Sequence, residues 1–313
     1  MQWSSTTAND GCRLAMQTSL QMPVPAQQRP GCCVLLLHGF SGSSDYFTRN
    51  FSGISSRYWV VAPDMRGHGN SGRTNGGYHV ARLAADLRHI VTYLRAASHE
   101  DVNIIPVGCS IGAAVVWTYI ELFGCADFSG FVFVDQAPLQ DRSLFEDWDE
   151  KKAHKGCYDE ATMRSAQSFW IHDSAAAHLD LAQSSLGYLH APSAEDGVSE
   201  DQRKKDEEFF TSKSALCDQT WLAKLLCDHT RYDHREAVDI IDRPTLVMYG
   251  NRSGCFTYDG VSETAARINR NCKREQEMAT VSTFSSGHWL FYEEPDRFNR
   301  EILDFAEKCI VRT

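Results

Sequence analysis

Residues 102–114 read VNIIPVGCSIGAA. The run from Val102 to Val107 is mostly apolar, which suits a β-strand covered on both faces. The segment AAVVWTYIELFG then reads as a helix closed by Gly124. Between strand and helix lies Gly108-Cys109-Ser110-Ile111-Gly112, a G-x-S-x-G pentapeptide. The motif is weak alone. Its setting is not, because a strand–turn–helix junction is what lifts such a serine out of a sheet. The two glycines leave room for a tight turn. The Ile111 N–H then lies at a helix N-terminus, where it can stabilise a developing oxyanion. Ser110 is therefore the candidate nucleophile, and Cys109 is expected to face back into the sheet.

Working outward, the same grammar recurs. CCVLLLHG, YWVVAPD, FSGFVFVD and PTLVMYG are further continuous apolar runs, and CRLAMQTSL is a strand after the turn Asn9-Asp10-Gly11. The segment VARLAADLRHIVTYLRAA has helical spacing at Leu83, Leu87, Ile90, Val91 and Leu94. Ser43, Ser44 and Asp45 offer N-caps for a helix through about Ser56. A helix near 260–271, a strand ATVSTF and a helix over 296–311 follow late in the chain. Apolar strands alternating with helices predict an α/β fold, a mostly parallel sheet with helices on both faces. The rhythm stops between about 139 and 240. Residues 139–240 are expected to form a helical insertion into one sheet built from residues 1–138 and 241–313. The charge run EDQRKKDEE inside it reads as a solvated helix face.

Composition narrows the function classes. The chain has 313 residues, 42% of them apolar, and a formal net charge of −10. There is no basic stripe to meet nucleic acid. The N-terminus MQWSSTTAND lacks the basic and apolar regions of a secretory signal, and no long apolar run predicts a membrane span. Eleven cysteines without C-x-x-C spacing point to reduced thiols and a cytoplasmic protein, with no metal site. No cofactor is expected.

Two further segments bear on chemistry. In LLLHGFSGSS, Gly39 lets the chain bend after the strand, so the Phe40 N–H can face Ser110 as a second oxyanion donor. His38 beside it is expected to orient that loop. In FSSGHWLFYEEP, His288 stands in a small-residue loop directly after a late strand. A serine nucleophile needs a base whose imidazole reaches its hydroxyl, and His288 is the candidate. PDMRGHGNSG has neither a Walker lysine nor a G-x-G-x-x-G pattern, and reads as a tight turn with Asp64 and Arg66 held by hydrogen bonds.

Together HGFSG, DMRGHGNS, GCSIG and SSGHWLFYEEPDRFN resemble the α/β-hydrolase superfamily, most of all its esterase, lactonase and cofactor-free haloperoxidase-like members. The resemblance covers about residues 10–137 and 242–310, and it implies a cap at the insertion. It also implies roles for Ser110 as nucleophile, Phe40 and Ile111 as oxyanion donors, and His288 as base. The acid departs from the pattern. In most members it follows the seventh strand, and the matching position here is Ser253 in YGNRSGCF. Three answers are open. The acid lies later in that loop, at Asp259. It has moved to the end of the sixth strand, at Asp135, leaving Ser253 a vacated position. Or the protein binds a ligand without turnover. Asp135 is favoured, because it ends the apolar run FVFV and, so desolvated, wants a partner such as an imidazole. The expected activity is acyl transfer to water on a medium-sized apolar ester, lactone or thioester. A receptor-like binder, or a carbon–carbon hydrolase or acyltransferase using the same residues, is the alternative. A serine rather than an aspartate at 110 argues against the dehalogenase and epoxide hydrolase branches.

Overall fold

A computed structural model describes the chain except residues 99–101, 157–158, 191–196, 273–276 and 312–313. Eight strands form one sheet. They are β1 (Gln2–Thr7), β2 (Arg13–Thr18), β3 (Cys32–Leu37), β4 (Trp59–Pro63), β5 (Asn103–Cys109), β6 (Phe131–Val134), β7 (Thr245–Gly250) and β8 (Ala279–Phe284). Their spatial order is β1-β2-β4-β3-β5-β6-β7-β8. The β1–β2 hairpin joins β4 antiparallel, and every other pairing is parallel. The α/β expectation holds.

Strand β3 shows why the apolar runs are continuous. Its residues alternate between two cores. Cys33, Leu35 and Leu37 point into one core with Leu83, Leu87 and Ile90 of α2 (Val80–Ser98) and Val115 of α3 (Ile111–Phe123). Cys32, Val34 and Leu36 point into the other, with Phe51 and Ile54 of α1 (Phe51–Ser55) and Phe298 and Ile302 of α11 (Pro295–Val311). A strand buried on both faces has no solvent side, so period-two alternation never appears in its sequence.

Between β6 and β7 the chain runs through α4 (Glu160–His172), α5 (Ser174–Ser185), α6 (Glu200–Ser214), α7 (Gln219–Arg231) and α8 (Arg235–Asp239). Helix α4 packs on α7 and α5 on α6, while α8 lies back against α3 and α9 (Tyr258–Asn271). Helix α10 (Leu290–Glu293) precedes α11. Among the described residues no helix is long and apolar enough to cross a membrane.

Two expectations need correction, and one strand was not anticipated. The helix through Ser56 is split into a 3₁₀ turn, Ser44–Phe47, and the short α1. Asn50 between them is buried, its side-chain amide donating to Phe291 O at 2.8 Å and Asn299 Oδ1 at 3.1 Å, contacts 240 or more residues away. The N-terminal residues form β1, an edge strand too polar and too exposed to show a pattern. The charge run is not wholly solvated. Asp206 on α6 is buried and accepts the Tyr292 hydroxyl at 2.8 Å.

Candidate active site

Only Ser110 separates β5 from α3. Its backbone has φ +53° and ψ −123°, a region L-residues rarely occupy and that proteins retain where the surroundings over-determine it. The flanking glycines supply that determination. A Cβ on Gly108 would lie 2.6 Å from the Ala113 backbone, and one on Gly112 would lie 2.6 Å from Leu37 O. The pentapeptide pattern is thus a packing requirement of the strand–helix junction. Ser110 is half-buried and its N–H donates to Val134 O at 3.0 Å. Cys109 is buried. Burial, then the nearby Asp135 carboxylate, push its thiol well above the ordinary range, so it is no rival nucleophile.

The loop after β3 passes directly beside the serine. A Cβ on Gly39 would meet Ser110 Cβ at 3.4 Å. His38 holds this loop. Met65 N–H donates to His38 Nε2 at 3.0 Å, which leaves the proton on Nδ1, and Nδ1–H donates to Gly39 O at 2.8 Å. Burial pushes this imidazole down to about 4, so it stays neutral. Phe40 follows, packed edge-on to Trp170 with centroids 5.1 Å apart. Ile111 is the first residue of α3, and a first-turn N–H has no intrahelical acceptor.

His288 lies between β8 and α10, and the structure brings it to Asp135. His288 Nδ1 is 2.6 Å from Asp135 Oδ2. Asp135 is fully buried, with φ +46°, at the end of β6. Its Oδ1 accepts the Gly250 N–H at 3.1 Å. Its Oδ2 also accepts the Ser253 hydroxyl at 2.7 Å. That hydroxyl accepts N–H groups from Cys255 at 3.2 Å and Phe256 at 3.3 Å, which aims its own proton at the carboxylate. Ser253 is therefore not an idle position. It braces the carboxylate from the neighbouring strand's loop.

The other carboxylates lie elsewhere. Asp259 is exposed in the first turn of α9, which Thr257 caps. Asp64 is buried and accepts N–H groups from Ser44 and Asn70, both at 2.7 Å. Neither bonds His288 among the described residues. Arg66 pairs with Asp86 and Asp10, so the PDMRGHGNSG turn is a hydrogen-bonded structural unit.

The histidine loop leans on the insertion. His288 N–H donates to Ser185 O at 2.8 Å. Glu293 accepts N–H groups from both Gly187 and Gly287 at 3.1 Å. Gly187, Gly250 and Gly287 meet so closely that a Cβ on Gly187 would lie 2.3 Å from Gly287 N, and one on Gly250 would lie 2.0 Å from Gly287 O. Trp289 stacks on Phe210 of α6, centroids 3.5 Å apart.

Ser110 and His288 open onto one cavity of about 360 Å³. Phe40, Trp170, Leu226 and Phe256 give it apolar walls, and Gln140, His154 and His229 give it polar ones. Of the insertion's tryptophans Trp170 alone lines it. Trp221 instead packs on Gly67 and donates to Gly76 O, and Trp148 is buried near Arg235. The polar wall carries no signal in the sequence. Gln140 and His229 are partners 89 positions apart.

The comparisons with known proteins agree with this architecture. A family model described as the alpha/beta hydrolase fold matches residues 33–295. An esterase from Exiguobacterium antarcticum superposes with a TM-score of 0.79, covering 97% of this chain and 99% of that one at 16% identity. A bromoperoxidase from Bacillus anthracis gives 0.77, covering 97% and 100% at 22% identity. A non-heme haloperoxidase of Rhodococcus erythropolis is 24% identical over 280 residues, 88% of this chain and 92% of that protein. An uncharacterised Mycobacterium tuberculosis protein is 32% identical over 93 residues, so that the alignment spans only 26% of that relative's length. This chain belongs to the α/β-hydrolase-fold family.

Proposed function

We propose that the protein is a serine hydrolase that cleaves apolar carboxylic esters, lactones or thioesters of small to medium size through an acyl-enzyme. The observation that carries the reading is the meeting of a strained serine and a carboxylate-bound histidine on one mostly apolar cavity. Asp135 accepts a hydrogen bond from His288 Nδ1–H, which leaves Nε2 as the basic nitrogen. Ser110 attacks the substrate carbonyl while His288 takes its proton. The N–H groups of Phe40 and Ile111 hold the oxyanion. His288 then protonates the leaving alcohol, and water, deprotonated by His288, releases the acid. The esterase, lactonase and haloperoxidase names among the structural and sequence relatives fit this chemistry. Residues 139–240 serve as the cap over a sheet core made of 1–138 and 241–313. Its apolar contribution rewards each buried methylene of a substrate by about 0.8 kcal/mol.

A fluorophosphonate probe tests the reading. It is expected to label the native protein once, at Ser110, and to leave Ser110→Ala unlabelled. Chromogenic ester turnover should fall by about 10⁴-fold or more in the same variant. Labelling that survives the alanine change, or a native protein that turns over no ester while binding one, would end it.

A further inference from the structure

Gln140 and His229 sit together in the cavity wall beside Phe40, Trp170 and Leu226, and neither belongs to the proposed catalytic set. Both are nearly inaccessible, 5% and 4% exposed. Gln140 lies six residues past the end of β6, and His154 N–H ties its carbonyl in place at 2.9 Å. Its side-chain Nε2 lies 2.6 Å from His229 Nε2 on α7. That contact uses one arm of the amide. The other arm has no protein partner among the described residues, although the residue lines the cavity. Burying a glutamine and a histidine beside Phe40, Trp170 and Leu226 is costly unless the amide's second arm is satisfied.

On the reading that this cavity holds the substrate of a serine hydrolase, we infer that Gln140, fixed by His229, is a specificity-determining residue that selects esters carrying a neutral hydroxyl on the part lodged in the cavity. The group must be neutral. Burial, then the nearby His234 and His154, hold His229 well below its ordinary range, so the pair offers no cation to a carboxylate. A hydroxyl suits it because a hydroxyl both donates and accepts. It therefore satisfies the free arm whichever way round the amide stands. The charged groups of the cavity, Lys155 and Asp180, belong to other segments. The Lys155 ammonium is already taken by Ser253 O.

Matched ester pairs test this on the native protein. One pair differs by a hydroxyl on the acyl chain, 4-nitrophenyl butyrate and 4-nitrophenyl 3-hydroxybutyrate. The other differs by a hydroxyl on the alcohol, phenyl acetate and 3-hydroxyphenyl acetate. In at least one pair the hydroxylated ester should have the higher kcat/KM by tenfold or more, because a site built to pair a hydroxyl penalises its absence. Gln140→Leu should bring that ratio within about twofold, chiefly by lowering kcat/KM for the hydroxylated ester. Gln140→Met is the fallback of similar length should the leucine variant not fold. Equal turnover within both pairs, a preference that survives in the Gln140 variant, or a stronger preference for a carboxylate-bearing ester would overturn the assignment. Failure of the hydrolase reading looks different, since then neither member of either pair is hydrolysed.

Discussion

The proposed nucleophile and the proposed base are held in opposite ways. Ser110 is fixed by a short contiguous stretch, Gly108 to Ala113, and by the β3 loop lying against it. His288 is fixed by segments scattered over about half of the chain. Asp135 comes from β6, Ser253 and Gly250 from the end of β7, Ser185 and Gly187 from the end of α5, and Glu293 from α10. The first arrangement is local, so its geometry is written into neighbouring residues and is insensitive to what lies above the sheet. The second is collective, so substitutions far away in sequence should act on the histidine while leaving the serine untouched.

The largest effect that would test this contrast is at the proposed acid, Asp135. Asp135→Asn should lower kcat by about 10³–10⁴-fold, because an amide stabilises the wrong imidazole tautomer. Fluorophosphonate labelling should slow with it, since labelling uses the same base. Asp259→Asn is the control and should change kcat by less than about tenfold. If Asp259→Asn is the inactive variant, the acid lies on the seventh-strand loop after all.

Next comes a change with no contact to the serine. Gly187→Ala in the insertion forces a Cβ to within 2.3 Å of Gly287 N, so the histidine loop must shift. A displacement of the base by about 1 Å costs about 100-fold in turnover. Gly31→Ala, with nothing within 4 Å of the new Cβ, is the matched control and should be silent. Native activity in Gly187→Ala would show that the base does not depend on the insertion.

A smaller loss is expected at Ser253. Ser253→Ala removes one hydrogen bond to the buried carboxylate, a contribution of about 1.5 kcal/mol that corresponds to roughly tenfold in rate. Asp135→Ala combined with Ser253→Asp should regain part of the activity lost in Asp135→Ala. The two side chains already touch at 2.7 Å, so a carboxylate at 253 starts beside the one it replaces. No gain over the single variant would mean that the imidazole cannot turn to the new acid.

The mildest test is of stability. His38 and His68 pack against each other, ring centroids 5.1 Å apart, and His229 and His234 lie between β6 and β7; all four are buried. Burial lowers His38 to about 4 and His68 and His234 to about 3 from 6.5, and lowers His229 as well. These groups bind protons in the unfolded chain before the folded one. Their contribution is therefore complete above about pH 6.5 and is lost as pH falls toward 4. Each costs on the order of 1 kcal/mol per pH unit in that window. Urea midpoints measured from pH 7.5 to 4.5 should fall steadily, and His38→Asn should flatten the slope. A flat profile would mean that these imidazoles are hydrated in the native state.

What could be read from the sequence follows the same division. The α/β architecture and the serine elbow are legible because short-range sterics write them into consecutive residues. The candidates Asp135 and His288 are legible because Asp135 directly follows the buried strand β6 and His288 stands in a small-residue loop after β8. Ser253 was legible only as a missing carboxylate, since nothing in YGNRSGCF shows a hydroxyl bracing an acid from another strand. The split at Asn50 and the Gln140–His229 pair are invisible for one reason. Both depend on partners far away in sequence, and no periodicity records such a pairing.

The three-glycine contact of Gly187, Gly250 and Gly287 bears on how such proteins diversify. A cover that merely rests on a sheet can be exchanged between relatives as a cassette. Here the chain just after α5 is interlocked with the loop that carries the proposed base, backbone against backbone, with the Glu293 carboxylate bridging the two. Recombination that imports a foreign segment across residues 185–187 would also import a new position for His288. New specificities are therefore more accessible by point changes along the cavity wall than by exchange of the whole insertion. The parts of it free to be swapped or to swing are those distant from that interlock.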